Sequence, residues 1–298
     1  MATVRTASTL ALELDAQPAG PLRSCQPASL RVEAAAASSG LGPATVLHPG
    51  VRVTLGEMAA EVDLAAPGPL LDWLQRSLDG SQASRSGAVV LSDANLVQRR
   101  RIAFERAWLS ALTWPVLDAA AARMPFTLGL RWLAERVDDQ PASGKAGPVA
   151  ASKRKAMLTS NFRVQGLPFG GAAVLRVQLP DFMLQPPQDK PGILRDVRPQ
   201  AGTVQLGELV LAIGARDADA ARQWAQALVA DGRVDLAEGV ALQVEMLDAS
   251  LKNLLATIRL DGCLLRGLDE DPLDSSSERL PGLALRFAVA AVGLKLAP

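Results

Sequence analysis

"LDAAAARMPFTLGLRW" occupies residues 117–132 of the chain, and "LDSSSERLPGLALRF" occupies residues 273–287. Both stretches begin with Leu-Asp, at an offset of 156 residues, and both continue through a proline into alternating apolar residues. Alternation over seven or eight residues is typical of a β-strand with one buried face. The two stretches therefore predict that the chain contains the same strand twice.

Earlier segments of the chain correspond in the same order. The pairs are "VRVTLGEM" (51–58) with "GTVQLGEL" (202–209), "LLDWLQRSLDG" (70–80) with "ARQWAQALVADG" (221–232), and "SGAVVL" (86–91) with "EGVALQV" (238–244). One local match arises easily by chance, but an ordered series does not. The period is far longer than that of a solenoid repeat, so it predicts a duplicated domain.

The boundary between the two copies is predicted from composition. Residues 137–156, "VDDQPASGKAGPVAASKRKA", are rich in Pro, Gly, Ser, Ala and Lys and have no apolar period, as in a flexible linker. We expect copy 1 at residues 1–137, a linker at 138–156 and copy 2 at 157–298. The basic run "ASKRK" (151–155) is interpreted as part of a solvated tether.

Each copy is predicted to be mainly β, as a small antiparallel sandwich or barrel with one packed helix. The residues expected to share a strand face are Leu10, Leu12 and Leu14; Ile102, Phe104 and Trp108, interrupted by Arg106; Leu128, Leu130 and Trp132; and Leu283, Leu285, Phe287 and Val289. Each set follows the period of two that a half-buried strand requires.

One helix per copy is predicted from an apolar stripe with helical spacing. The first helix is expected to open at Pro67 and to end at Asp79-Gly80, with Trp73 facing the core. The second is expected to be capped by Asp219, with Ala221, Trp224, Ala225 and Leu228 as its apolar stripe. Two long segments, 34–50 and 184–202, are predicted as loops that become ordered in an assembly.

The charge balance excludes some function classes. Lys and Arg number 31 and Asp and Glu number 31, whereas a dedicated nucleic-acid binder needs an excess of positive charge. The first 20 residues, which include Arg5, Glu13 and Asp15, are not expected to form a signal peptide, and no apolar run is long enough to span a membrane. We therefore expect a cytoplasmic protein, and near-zero net charge suits one that associates with itself.

The sequence offers no catalytic, cofactor-binding or metal-binding constellation. Cys25 and Cys263 are too far apart for a metal motif and are expected to be reduced thiols. His48 is the only histidine and is expected in a turn, "GLPFGG" (166–171) lacks the spacing of a dinucleotide fingerprint, and "LDEDPLD" (268–274) does not match a calcium loop. The chain is predicted not to be an enzyme.

Copy 1 resembles the tail-tube proteins of contractile phage tails and related bacterial injection systems. The resemblance is carried by residues 10–33, by "LLDWLQ" (70–75) with Trp73, and by residues 87–120 with Arg106-Ala107-Trp108 and Trp114-Pro115-Val116-Leu117-Asp118. Copy 2 resembles the same domain more faintly from "LTSNFRVQGL" (158–167) onward, and it has Gly262-Cys263-Leu264 in place of the Ala-Trp element.

The resemblance implies a structural subunit of a phage tail or injection particle. Single-domain tube proteins form hexameric rings whose inner strands build a continuous barrel, and the rings stack into a hollow tube. A duplicated chain is expected to form a trimeric ring with pseudo-sixfold symmetry that builds, initiates or adapts such a tube, beside other tube, sheath or baseplate proteins. Stacked rings of six chains remain an alternative, and so does a monomeric double β-barrel that binds a small ligand.

Overall fold

The computed structural model describes residues 9–38, 45–64, 68–81, 83–142, 144, 155–169, 174–185, 203–230, 239–270 and 282–297. The elements of copy 1 are β1 (Thr9–Leu14), β2 (Gln17–Gln26), β3 (Leu30–Ser38), β4 (Thr45–Leu55), β5 (Met58–Asp63), α1 (Pro69–Leu78), β6 (Arg85–Ser92), β7 (Gln98–Thr113), β8 (Leu117–Asp118), β9 (Thr127–Leu133) and β10 (Arg136–Pro141). Those of copy 2 are β11 (Phe162–Gln165), β12 (Val174–Gln178), β13 (Phe182–Gln185), β14 (Thr203–Leu206), β15 (Leu209–Ile213), α2 (Ala215–Ala230), β16 (Val240–Leu247), β17 (Leu254–Glu270), β18 (Leu283–Ala288) and β19 (Ala291–Leu296).

Copy 1 is a closed antiparallel barrel. Its strands pair in the cyclic order β7-β6-β1-β2-β5-β9, and β9 returns to β7 to close the barrel. Closure removes the free strand edges that an open sheet presents. Strand β10 lies outside this circle and pairs with the first half of β7.

Copy 2 repeats this plan strand by strand. Its order is β11-β16-β17-β18-β15-β12, and β19 pairs with β17 as β10 pairs with β7. Within the described residues β11 and β12 do not pair, so copy 2 is an open barrel. The predicted fold class, mainly β with two tandem barrel-like units and one helix in each, is confirmed.

The buried core follows the predicted alternation. Leu128, Leu130 and Trp132 in β9 are all at most 1% exposed, and the three equivalent residues of β18 are at most 2% exposed. Trp132 packs against Trp73 of α1 with ring centroids 6.4 Å apart. In copy 2 the matching pair, Trp224 and Phe287, lies at 6.3 Å, so each helix is held to its barrel by the same aromatic contact.

Strands β7 and β17 share a bulge that the sequence does not reveal. Arg106 has φ 46° and Gly262 has φ 63°, a left-handed conformation at equivalent positions of the two copies. The extra residue shifts the alternation by one, so that Ala107 and Leu109 are buried after Phe104. The prediction that Trp108 shares a face with Ile102 and Phe104 is therefore wrong.

Both helices begin at different residues from those expected. Helix α1 starts at Pro69, and Pro67 lies outside the described residues; its end at Asp79-Gly80, with Gly80 at φ 75°, agrees with the prediction. Helix α2 starts at Ala215, so Asp219 is not its cap but lies one turn inside the helix, where it forms an ion pair with Arg222.

Segments predicted as loop or linker are partly strands. Residues 34–38 and 45–50 belong to the hairpin β3–β4, with 39–44 outside the described residues, and His48 lies opposite Ala35 in β4 rather than in a turn. Of the segment 184–202, residues 184–185 complete β13 and the rest lies outside the described residues. Residues 138–141 of the predicted linker belong to β10, while the boundary between the copies stays a prediction.

Candidate assembly interface

Each copy adds a strand to the sheet of the other, and these strand pairings join the two copies. Strand β13 of copy 2 pairs with the end of β7 in copy 1, with Phe182 opposite Leu112 and Met183 opposite Ala111. In return, the short strand β8 of copy 1 pairs with β12 of copy 2. The hairpin β13–β14 thereby extends the sheet of copy 1, although it is part of copy 2 in sequence.

Apolar burial stabilises this strand pairing. Phe182 is 2% exposed and Leu112 is 1% exposed. Complete burial of a side chain of this size contributes about 1.5–3 kcal/mol. The junction is therefore built like a protein core rather than like a transient contact.

Trp114 fixes the entry into β13. Its indole Nε1 donates a hydrogen bond to the carbonyl oxygen of Pro180 at 3.0 Å, and its backbone N–H donates to Oδ1 of Asp181 at 3.1 Å. Its ring lies 6.3 Å from that of Phe126. The Trp-Pro-x-Leu-Asp element noted in the sequence thus ends copy 1 by holding copy 2.

Helix α1 forms a further contact between the copies. Gln75 donates from Nε2 to the carbonyl oxygen of Leu294 in β19 at 2.7 Å. Leu294 and Leu296 of the same strand are buried. Helix α1 therefore contacts copy 2 through Gln75 as well as the barrel of copy 1 through Trp73.

A pair of aspartates orders the equivalent turns that precede β7 and β17. Asp93 accepts backbone hydrogen bonds from Asn95 and Val97, and the N–H of Val97 is the main cause that lowers the pKa of Asp93. Asp248 does the same in copy 2, and the side chain of Asn253, followed by Lys155 at 2.8 Å, lowers its pKa far below the usual value. These ionised carboxylates satisfy turn donors.

The residues considered for chemistry do not come together. Burial raises the pKa of Cys25 and of Cys263 to about 11, so both thiols are protonated at neutral pH. In the acidic run, Asp269 pairs with Arg286 and Glu270 pairs with Arg222, whereas 271–274 lie outside the described residues. No group of three or more His, Cys, Asp or Glu residues in the described part of the chain could hold a metal ion.

Two other features considered in the sequence also have structural roles. Gly166, the first residue of "GLPFGG", has φ 94° and lies against the carbonyl oxygen of Ala241, where an added Cβ would be only 2.3 Å away. It makes a tight turn after β11, and residues 170–171 lie outside the described ones. Lys155, the last residue of "ASKRK", is the cation that pairs with buried Asp248.

Sequence reasoning missed the strand exchange. The matches between the copies had aligned "LGEM" with "LGEL", which fixes β5 against β15, and this alignment also sets the hairpin before each of them in register. The sequence therefore contained enough information to identify the hairpin, but not to identify the strand with which the hairpin pairs. That strand, β7, is about 70 residues away in the chain.

Comparisons with solved structures find parts of contractile injection systems. A chain of the anti-feeding prophage baseplate, symmetrised sixfold, is 14% identical, with a TM-score of 0.38, over 47% of this chain and 97% of its own. A chain of the tube-terminating cap of that prophage is 12% identical, with a TM-score of 0.41, over 51% of this chain and 100% of its own. A chain of the PVC sheath–tube complex in the extended state is 17% identical, with a TM-score of 0.38, over 45% of this chain and 88% of its own.

These neighbours belong to the kind of apparatus that the sequence resembles, and each matches about half of this chain. With TM-scores below 0.5 they carry no argument about the role of this chain, which rests on its own geometry. No protein-family model and no curated protein matches the sequence. No helix in the described ranges is long and apolar enough to cross a membrane.

Proposed function

We propose that this protein is a ring-forming structural subunit of a phage tail or of a phage-tail-like contractile injection apparatus. Three chains associate into a ring with pseudo-sixfold symmetry that builds, initiates or adapts a hollow tail tube. The ring contacts other tube, sheath or baseplate proteins, and it assembles in the cytoplasm into the particle. Its role is structural rather than catalytic.

The observation that carries the proposal is the strand exchange between the two copies. Two barrels of the same plan lie side by side, joined by β13 on β7 and by β8 on β12. Continuous strand pairing across a domain junction is how a ring of barrels extends from one unit to the next. Since each chain supplies two such units, three chains supply the six that the resemblance to tail-tube proteins implies.

Mass photometry and negative-stain microscopy of the purified protein test the proposal. We expect a particle with the mass of three chains and a ring with six lobes in class averages. A ring of six chains would keep the structural role and overturn the trimer. A monomer at every concentration would overturn ring formation and favour a monomeric double barrel that binds a small ligand.

A further inference from the structure

The hairpin β3–β4 of copy 1 is the counterpart of the hairpin β13–β14 of copy 2. Ser29 accepts a hydrogen bond from the N–H of Gly56 at the base of the first hairpin, as Asp181 does from Gly207 at the base of the second. In the first pair of each hairpin, Leu30 lies opposite Leu55 and Phe182 opposite Leu206. The two hairpins therefore correspond over their first four residue pairs.

Their surroundings are different. Hairpin β13–β14 lies on β7 and buries Phe182, whereas β3–β4 is a separate two-stranded sheet that pairs with no other strand in the described residues. Leu30, at the position of Phe182, is 68% exposed. The contrast between equivalent residues, one buried on a strand and the other exposed on an unpaired hairpin, indicates that the first hairpin has an unoccupied strand partner.

The strand that would receive this hairpin has a matching free edge. One edge of β7 pairs with β6 and, beyond the end of β6, with β13. The equivalent edge of β17 pairs with β16, and residues 266–270 of β17 lie beyond the end of β16. No strand of the described residues pairs there on the side of β16, although β18 pairs on the other side. A second bulge, distinct from the one at Arg106 and Gly262, precedes both sites. It lies between Leu109 and Ala111 in β7 and between Leu265 and Gly267 in β17.

We propose that hairpin β3–β4 adds to this free edge of β17 in a neighbouring copy of the chain. The register of β13 on β7 places Leu30 opposite Leu268 and Arg31 opposite Gly267 of the neighbour. Arg31 then lies diagonal to Asp269 on the same face, so that opposite charges meet. This inference rests on the proposed function and specifies the surface by which one chain joins the next.

The same arrangement places helix α2 of the neighbouring chain against the chain that supplies the hairpin. Within the chain, the hairpin β13–β14 of copy 2 pairs with copy 1, and α1 of copy 1 contacts β19 of copy 2. The equivalent contact between chains follows if β3–β4 of one chain pairs with copy 2 of the next. Helix α2 of that copy 2 then faces β10 of the first chain, because β10 is the counterpart of β19. Gln226 is exposed at the position of Gln75, and Asp139 of β10 is exposed at the position of Leu294.

Cysteine cross-linking of the full chain tests the register. The variant Arg31→Cys with Gly267→Cys is treated with a short bismaleimide; Arg31 is exposed, and a Cβ added to Gly267 meets nothing within 4 Å. We expect covalent species of two and three chains on denaturing gels. The control pair Met183→Cys with Thr113→Cys uses two exposed residues that lie diagonally across β13 and β7, and it should cross-link within one chain and leave its mass on the gel unchanged.

A control separates specific pairing from random collision. Arg31→Cys with Arg259→Cys moves the acceptor eight residues along β17, roughly 26 Å away, and should give no more cross-linking than either single variant. A second pair, Gln226→Cys with Asp139→Cys, should link the same chains through the helix. Mass photometry of the unreacted variants reports assembly independently.

The outcomes separate the inference from the proposed function. Cross-links from both pairs, absent in the control, support the hairpin register. Particles of three chains without the 31–267 cross-link, or with equal cross-linking in the control, overturn the register and leave the ring intact. Monomers at every concentration overturn both.

Discussion

Phe182 and Leu30 occupy equivalent positions in the two copies, yet one is 2% exposed and the other 68% exposed. The difference extends to their neighbours. Trp114 locks the hairpin of copy 2, but the equivalent residue on β17 is Glu270, which pairs instead with Arg222. Gln75 of α1 contacts copy 2, whereas Gln226 at the equivalent position of α2 is exposed and Arg222 pairs with Glu270 of its own copy.

The comparison shows how two copies of one domain can have two different junctions, one inside the chain and one between chains. The junction inside the chain is permanent, so apolar residues and tryptophan fill it. The junction that we propose between chains must stay soluble before assembly, so polar and charged residues border it.

The largest effect is expected from Phe182→Ala. Removing this buried ring should lower the free energy of unfolding by about 3–5 kcal/mol. Leu30→Ala, at the equivalent exposed position, should change it by less than about 0.5 kcal/mol in the dilute monomer while weakening assembly. Urea unfolding below the assembly concentration measures both, and similar losses from both variants would contradict the contrast.

The next effect concerns acid stability. The pKa of Asp248 in the folded protein lies well below its value in the unfolded chain, about 3.9. The ionised carboxylate therefore stabilises the fold above that value, and its contribution is lost as the pH falls through the folded-state pKa. Asp248→Asn should lower Tm at pH 7 and converge on the wild type as the pH falls below 4.

Thermal unfolding followed by circular dichroism between pH 2 and pH 7 measures this convergence. Asp93→Asn, in the equivalent turn of copy 1, is the matched control. Both aspartates pair with an exposed cation, Arg99 or Lys155, but only Asp248 also accepts from the side chains of Asn253 and Ser250 among the described residues, so a smaller loss of Tm is expected for Asp93→Asn. A constant gap between Asp248→Asn and the wild type at all pH values would show that the carboxylate charge does not stabilise the fold.

A third comparison uses two tryptophans of copy 1 that pack on each other, Trp73 and Trp132. Trp73 donates from Nε1 to the carbonyl oxygen of Ala83 at 2.9 Å, while the buried Nε1 of Trp132 has no acceptor among the described residues. Copy 2 has Phe287 at the position of Trp132. We expect Trp73→Phe to cost about 1–3 kcal/mol and Trp132→Phe to cost less. Equal losses in urea unfolding would mean that packing, not the hydrogen bond, decides both.

The smallest effect is expected at the shared bulge. Gly262→Ala should destabilise the protein by about 1–2 kcal/mol, since φ is positive and the added Cβ would lie 2.7 Å from that of Ala290. Arg106→Gly relieves the same conformation in copy 1 and should be neutral or stabilise it by up to about 1 kcal/mol. A loss of stability from Arg106→Gly would show that its ion pair with Glu135 outweighs the strain.

Local pattern predicted most of the fold but not how its parts are joined. The alternation at Leu128, Leu130 and Trp132 identified a strand because each residue depends only on its near neighbours. Trp108 was placed on the wrong face because nothing in the composition around Arg106 signals a left-handed residue. His48 was placed in a turn because Pro and Gly follow it, although pairing with β3 keeps the strand extended.

The candidate interface depends on long-range pairing. Phe182 meets Leu112 across 70 residues, and no periodicity within either strand encodes that choice. The duplication nevertheless made the comparison possible, because equivalent residues could be identified in both copies. The free edge of β17 becomes visible only when the occupied edge of β7 is known.

Class averages from negative-stain microscopy, combined with mass photometry of the same sample, measure directly whether three chains form one ring. We predict six-lobed rings with the mass of three chains, because each chain contributes two barrels of one plan. Monomers at every concentration, or six-lobed rings with the mass of six chains, would contradict it.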